Sequence, residues 1–220
     1  GYSSTSYTMY LLCKDIRAKS LTDIVTILSD KLAQDDVTFE GSASKGRTGI
    51  DGLGLNQFSR RYIYHLLARV TSYVEVSSGK PDLFDKYVDR TSKNSCDIEH
   101  IWADDFAPYK DECATQQEFQ DWRNHAAGLL LLPADVNRSL QDKSFTDKAP
   151  HYAKQNLYAA SLTASTYQHQ PQFDRFQKEL ILPFKPYEKF GKTEQLERRQ
   201  LVKQLANLIW GPARLKAFLA

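Results

Sequence analysis

Glu99 and His100 stand side by side in a segment that alternates apolar and polar residues, from Asp97 to Trp102. A neutral histidine can take a proton from water, and a carboxylate is a ligand that Mg²⁺ accepts. Neighbouring side chains on a strand point to opposite faces, so a twist or bulge must bring both groups to one site. The pair suits phosphodiester hydrolysis, in which a base activates water and Mg²⁺ or Mn²⁺ stabilises the developing charge.

Asn137 and Lys148 follow where a second strand and a short helix could deliver them to the same site. The amide oxygen of Asn137 can bind a metal, and its amide nitrogen can donate to phosphate. Lys148 can hold a phosphate as a point charge. Each residue has a plainer interpretation: Asn137 as a helix N-cap, although Asp135 suits that role better, Lys148 as a surface lysine, and Glu99 as a partner of an arginine.

Two apolar segments would have to position these side chains. The alternation around His100 predicts one strand, and the run from Gly128 to Pro133 predicts a second, buried strand that proline ends. The polar stretch from Ala134 to Lys148 predicts a short helix and a turn.

The rest of the chain predicts helices. One begins at Ser20, which with Asp23 has the form of a capping box, and a loop is predicted for residues 39–53. Further helices are predicted from Asn56, from Asp82, and later at His151–Leu162, Phe173–Leu180 and Thr193–Trp210. The helix from Asn56 has an apolar stripe formed by Ile63, Leu66, Leu67, Val70 and Val74. The stripe of the helix Thr193–Trp210 is formed by Leu196, Leu201, Leu205, Leu208 and Ile209.

Composition limits the classes of protein to consider. The 220 residues are 41% hydrophobic with a net charge of +2, so a buried core is expected and any basic face must be local. Three unevenly spaced cysteines predict neither a disulfide framework nor a zinc site, including one from Cys96, His100, Cys113 and His125. No apolar run is long enough for a membrane span, and a cytoplasmic protein, here as a fragment of a longer one, is expected.

The residues around these candidates resemble a known family. Residues 98–104 and 123–133, continuing to Asn137, resemble the two halves of the HNH signature in the C-terminal domain of GmrSD-type restriction endonucleases. Ser144, Phe145, Lys148, Tyr152 and residues 155–157 extend the resemblance, which covers roughly residues 56–210. The family includes glucosylated-DNA restriction enzymes and the phosphorothioate-sensing SspE type.

The resemblance implies a mainly α-helical fold with a small inserted β-hairpin, in which a ββα-metal (HNH, or His-Me finger) core is surrounded by helices. We expect an N-terminal helical part at residues 1–92, the HNH core at 93–155 and a C-terminal helical part at 156–220, which together form one compact domain. It also implies DNA as substrate and, in the parent protein, an N-terminal NTP-binding sensor domain as partner.

By position, the resemblance assigns the general base to His100, a metal-side role to Asn137 and Glu99, and the third catalytic position to Lys148, with Asn124 as the alternative. We predict DNA contacts by Arg123, Asn124, Lys143 and Lys148, mainly with phosphates.

Two departures from the family pattern leave a second interpretation open. Ala103 stands where many relatives have proline, and Leu129 and Leu130 stand where many have an Asn-Leu pair. A catalytically degenerate module that binds DNA or a partner without cutting is therefore the alternative to a nuclease. An RNA-directed nuclease with the same centre is a third possibility.

Overall fold

The computed structural model describes residues 2–35, 38–41, 46 and 48–219. The chain is mainly helical with a small antiparallel sheet of two strands, as predicted. The helices are Tyr2–Ile16 (α1), Leu21–Asp35 (α2), Arg60–Ser77 (α3), Phe84–Val88 (α4), Gln116–Arg123 (α5), Ala134–Leu140 (α6), Phe145–Tyr152 (α7), Leu157–Ala160 (α8), Ala164–His169 (α9), Pro171–Glu179 (α10), Lys192–Trp210 (α11) and Pro212–Lys216 (α12), the strands are Cys96–His100 (β1) and Leu129–Pro133 (β2), and 3₁₀ turns cover Gly49–Gly52, Ala107–Tyr109, Ala126–Gly128 and Ala217–Leu219.

The sheet lies at the centre of the predicted site. β1 and β2 pair antiparallel from Cys96 opposite Pro133 to His100 opposite Leu129. Leu129 to Leu132 are all fully buried, because helices α3, α6 and α8 pack around β2. Both predicted strands are confirmed, and the continuous apolar run of β2 reflects burial on both faces.

Polar side chains bind the backbone of both strands. Tyr64 on α3 donates its hydroxyl to the carbonyl oxygen of Cys96 at 3.0 Å, and Asn156 donates to that of Leu131 at 2.8 Å. Asn156 also caps α8 by accepting from the backbone N–H of Ala159. These bonds satisfy strand carbonyls that a two-stranded sheet leaves without ladder partners.

Contacts divide the chain into two compact units, residues 50–205 and residues 1–49 with 206–220. The site lies in the first unit, and the predicted three-part division stays a prediction. In the second unit α1 packs against α2, and α2 against α12. The predicted start of α2 is confirmed, since the Ser20 hydroxyl accepts from the backbone N–H of Asp23 at 3.1 Å.

An aromatic cluster fixes the segment that follows β1. The ring of Trp102 stacks on that of Tyr109 with centroids 4.1 Å apart and on that of Phe119 at 5.8 Å. The indole N–H of Trp102 donates to the carbonyl oxygen of Phe190 at 2.8 Å. Since Phe119 lies on α5, this cluster holds α5 against the end of β1.

One helix predicted from the sequence is wrong, and α1 has no counterpart among the sequence predictions. The predicted helix His151–Leu162 is broken, because α7 ends at Tyr152 and α8 begins only after the Asn156 cap. In α1, Met9, Leu12, Cys13 and Ile16 recur at helical spacing, a signal that could have predicted this helix. The predicted loop at residues 39–53 contains a turn bridged between Thr38 and Gly41 and a 3₁₀ turn, while residues 42–45 and 47 lie outside the described residues.

The buried face of α11 also differs from the predicted stripe. Leu201 and Leu205 are buried as predicted, but Leu196 is exposed. Arg198 is buried instead, with its guanidinium 4.2 Å above the ring of Tyr158. An aromatic ring can accept a cation in the interior, which an apolar pattern does not reveal.

None of the helices in the described part of the chain is both long and apolar enough to cross a bilayer.

We expect Leu130→Ala to lower the free energy of unfolding by about 2–5 kcal/mol, because the fully buried side chain would leave a cavity beside the sheet. Denaturant unfolding followed by circular dichroism measures this. Phe58→Ala is the control, since Phe58 is 77% exposed, and should change stability by no more than about 0.5 kcal/mol. Equal effects in both variants would contradict a core centred on β2.

Candidate active site

His100 is the last residue of β1, and its side chain is half-buried. Its Nε2 lies 3.0 Å from the amide Oδ1 of Asn124, which is the residue that ends α5. Burial, followed by the positive charge of Arg123, lowers the pKa of His100 to about 4. The imidazole is therefore neutral near pH 7, the form that can accept a proton.

Arg123 is a half-buried cation beside His100. Its Nε lies 3.7 Å from a carboxylate oxygen of Asp104, and this Nε makes no hydrogen bond to any described residue. Burial lowers the pKa of its guanidinium, although nearby carboxylates, Asp104 first, oppose this. Because this Nε is buried and faces Asp104, it is not presented to solvent, and the predicted DNA contact of Arg123 stays a prediction.

Glu99 points away from His100 and into the protein. Its carboxylate accepts from the ammonium of Lys148 at 2.8 Å and from the hydroxyl of Tyr152 at 2.7 Å. The Lys148 ammonium also donates to the carbonyl oxygen of His100 at 2.7 Å. Burial raises the pKa of Glu99, and its bonds to Lys148 and Tyr152 oppose that rise. This cluster ties the end of β1 to α7.

The contacts of Glu99 and Lys148 bear on their predicted roles. Lys148 is 1% exposed, and its ammonium is directed at protein oxygens rather than at solvent. The carboxylate of Glu99 is held by the same cluster. The metal role of Glu99 and the phosphate role of Lys148 stay predictions, and the burial of both side chains favours positioning roles.

Asn137 lies on α6 and is tied to β1. Its amide nitrogen donates to the carbonyl oxygen of Ile98 at 3.0 Å, two residues before His100. This contact uses the amide nitrogen of Asn137. Its amide oxygen makes no hydrogen bond to the described residues. An amide oxygen is a hard ligand of the kind that Mg²⁺ binds.

The residues of the site fit a divalent cation that is held mainly by water and substrate. Among the described residues, no three His, Cys, Asp or Glu side chains gather closely enough to hold a metal. Mg²⁺ often needs only one or two protein ligands and takes the rest from water and phosphate oxygens. The free amide oxygen of Asn137 would be one such ligand, and a metal at this site stays a prediction.

The structure gathers most, but not all, of the predicted site residues. The candidates that bond to β1 or to each other are His100, Asn124, Glu99, Lys148 and Asn137. Arg123 instead pairs with Asp104, and Lys143 is exposed between α6 and α7. Sequence reasoning gave no role to Tyr152, Gln120 or Asp104. The spacing of Tyr152, four residues after Lys148 on one helix, is a signal that could have placed both on one face.

Asn124 also lines a cavity of about 450 Å³. Gln120, Trp122, His125 and Arg199 are among its lining residues. His125 is buried, with Nδ1 accepting from the backbone N–H of Ala127 and Nε2 donating to the carbonyl oxygen of Ile50, both at 3.0 Å. These bonds give His125 a structural role in the wall of the cavity.

The buried ion pair of Glu99 and Lys148 predicts that the effects of these two residues on stability are strongly coupled. We expect Lys148→Met to lower the free energy of unfolding by about 3–5 kcal/mol, because Glu99 would remain buried without its cation. The double variant Glu99→Gln/Lys148→Met should recover most of that loss, as measured by denaturant unfolding.

The control for this pair is Lys178→Met, which breaks the exposed pair of Lys178 and Asp174 on α10 and should cost no more than about 0.5 kcal/mol. A loss in Lys148→Met as small as the control's would contradict the coupling.

His125 predicts a dependence of stability on pH. Burial lowers its pKa to about 4 in the folded protein, against about 6.5 in an unfolded chain. Between these values the unfolded chain binds a proton that the folded protein does not, so stability falls as pH falls from about 7 to 4. The size is about 1.4 kcal/mol for each unit between the two pKa values.

The test is to compare unfolding free energies of the unchanged chain and His125→Gln across that pH range. Glutamine can make both hydrogen bonds but does not titrate, so the unchanged chain should lose stability relative to the variant on acidification. A difference that stays constant with pH would contradict the assignment.

A comparison with known protein families gives a match. Residues 53–180, more than half of the chain, match the family model for the C-terminal domain of GmrSD restriction endonucleases. No curated protein and no solved structure gave a match. The matched region contains β1, β2 and every residue of the candidate site, and it confirms the resemblance drawn from the sequence. The chain belongs to the family of GmrSD restriction endonuclease C-terminal domains.

Proposed function

We propose that the unit formed by residues 50–205 is a DNA endonuclease or nickase of the HNH kind, with His100 as general base. The observation that carries the proposal is the neutral, half-buried imidazole at the end of β1, held by Asn124 with the positive charge of Arg123 nearby. Membership of a restriction endonuclease family supports DNA as the substrate.

In this proposal β1, β2 and α6 form a ββα-metal core. Asn137, tied to β1 through the carbonyl oxygen of Ile98, offers its amide oxygen to Mg²⁺ or Mn²⁺. When bound, such a cation supplies positive charge for the scissile phosphate and the leaving oxygen.

The side chains divide the remaining work. Arg123 binds a phosphate oxygen and orients the phosphodiester for attack. His100 takes a proton from the water that attacks phosphorus. Glu99, Lys148 and Tyr152 hold the backbone of His100 in place from behind β1. Lys143, exposed beyond α6, contacts the DNA backbone at a distance from the cleaved bond.

The parent protein, in this proposal, is an antiphage restriction enzyme that acts on modified DNA, and an NTP-binding sensor domain precedes the nuclease. Contacts made mainly with phosphates give little sequence preference. The sensor domain then determines which DNA is cut.

A second function is favoured by two departures from the family pattern. Ala103 stands where many relatives have proline, and Leu129 stands where many have asparagine. The alternative is a catalytically degenerate module that binds DNA or a partner without cutting it.

Cleavage of supercoiled plasmid by the full chain, with Mg²⁺, Mn²⁺ or EDTA, tests the proposal. We expect conversion to open-circle or linear DNA that depends on metal and falls by about 10²–10⁴-fold in His100→Ala, the usual loss with a general base. Asn137→Ala should also lose most activity and should need more metal.

His169→Ala is the matched control, since His169 is an exposed histidine on α9, and it should cut like the unchanged chain. If His100→Ala cuts at the control's rate, the assignment of the base is wrong. If no protein cuts in any metal while plasmid binding persists in His100→Ala, the binding module is favoured.

A further inference from the structure

A chain of hydrogen bonds runs outward from His100. Nε2 of His100 lies 3.0 Å from Oδ1 of Asn124. Nδ2 of Asn124 donates to Oε1 of Gln120 at 3.3 Å, and Nε2 of Gln120 donates to a carboxylate oxygen of Asp104 at 3.0 Å. Asn124 and Gln120 are four residues apart at the end of α5, so their amides meet on one face of the helix.

The direction of these bonds is determined at the outer end. An ionised carboxylate can only accept hydrogen bonds, so Asp104 requires the NH₂ group of Gln120 to face it. The oxygen of Gln120 then faces Asn124, which must supply its own NH₂ group. That leaves the oxygen of Asn124 directed at His100. Rotating either amide by half a turn would place oxygen against oxygen or nitrogen against nitrogen.

The last bond selects one form of the imidazole. A neutral histidine carries a proton on only one ring nitrogen, and the partner of the other nitrogen decides which. Since the oxygen of Asn124 only accepts, Nε2 of His100 must carry the proton. The lone pair is then on Nδ1, which makes no hydrogen bond to the described residues.

We propose that Asn124, Gln120 and Asp104 are positioning residues that hold His100 as the Nε2–H tautomer, so that Nδ1 is the atom that takes the proton from water. The tautomer is a property of this chain alone, whereas its use in cleavage rests on the proposed function.

The proposed step balances. The water O–H bond breaks, its proton moves to Nδ1, and its electron pair forms the new bond to phosphorus. The bond from phosphorus to the leaving oxygen breaks, and that oxygen keeps the electron pair and takes a proton from solvent. The imidazolium that results still donates from Nε2 to Asn124, so the same contact serves before and after proton transfer.

The test reads the tautomer directly. In the ¹⁵N-labelled full chain, without metal or DNA, the two ring nitrogens of each histidine have different chemical shifts according to which carries the proton. The signals of His100 are identified by their loss in His100→Gln. We expect the Nε2–H form in the unchanged chain, and finding the Nδ1–H form there would overturn the proposal.

Substitutions of Gln120 should either reverse or preserve the donor-to-acceptor direction of the hydrogen bonds that run from Asp104 to His100. Gln120→Lys offers only donors, so Asn124 should turn its oxygen to the lysine and its NH₂ group to His100, which shifts His100 to the Nδ1–H form. Gln120→Glu still accepts from Asn124 and should keep the Nε2–H form. Gln117→Lys is the control, because it places the same charge one turn earlier on α5. It should leave the tautomer of His100 unchanged. An unchanged tautomer in Gln120→Lys would overturn the proposal.

A second position keeps the test decisive if Gln120→Lys fails to fold. Asn124→Leu removes the acceptor with little change of shape, so His100 should become a mixture of both tautomers. Asn124→Asp keeps an acceptor and should keep the Nε2–H form. A pure Nε2–H form in Asn124→Leu would show that Asn124 does not select it.

Plasmid cleavage separates this inference from the proposed function. Gln120→Lys should lower kcat by about 10²-fold with little change in KM, since a general base is commonly worth at least that factor, and Gln120→Glu should retain most activity. If no protein cuts DNA, the proposed function fails while the tautomer is still decided by NMR. If Gln120→Lys shifts the tautomer and yet cuts at the normal rate, the assignment of Nδ1 as the base is wrong.

Discussion

The ammonium of Lys148 reaches two oxygens of β1 at once, the carboxylate of Glu99 at 2.8 Å and the carbonyl of His100 at 2.7 Å. Both charged groups are buried, and burial of unpaired charges is costly. Each of them is therefore stable in the interior only while the other is present. Because the shared point is the last residue of β1, this interaction fixes where the strand ends and how the backbone of His100 is presented.

The two sides of β1 thereby have different tasks. Behind the strand, Glu99, Lys148 and Tyr152 form a rigid support with no exposed polar group. In front of it, His100 has one ring nitrogen engaged by Asn124 and the guanidinium of Arg123 close by. A proton acceptor works best when its own geometry needs no rearrangement, and the support behind the strand provides that condition for the proposed reaction.

Sequence patterns predicted the parts of the fold that depend on local order. Strand alternation around His100, the apolar run of β2 and the stripe of α3 each follow from periodicity, which burial in one core imposes. The break at Asn156 did not follow, because it depends on a hydrogen bond to Leu131, a residue distant in sequence. Most of the candidate residues lie around β1, and their roles stay predictions, but the burial of Lys148 was not foreseen. Lysine is almost never fully buried unless paired, and nothing local to Lys148 identifies Glu99 as its partner.

The four leucines of β2 do not by themselves determine the register of β2 against β1. Four identical residues, Leu129 to Leu132, would present the same surface if the strand slid by one position, so the run itself does not specify alignment with β1. The polar bonds to individual carbonyls, from Tyr64 to Cys96, from Asn137 to Ile98 and from Asn156 to Leu131, supply that alignment. A slip of one residue would exchange the faces of Glu99 and His100. The identity of the group presented at the front of the strand thus depends on three side chains that lie outside the sheet and bind its carbonyl oxygens.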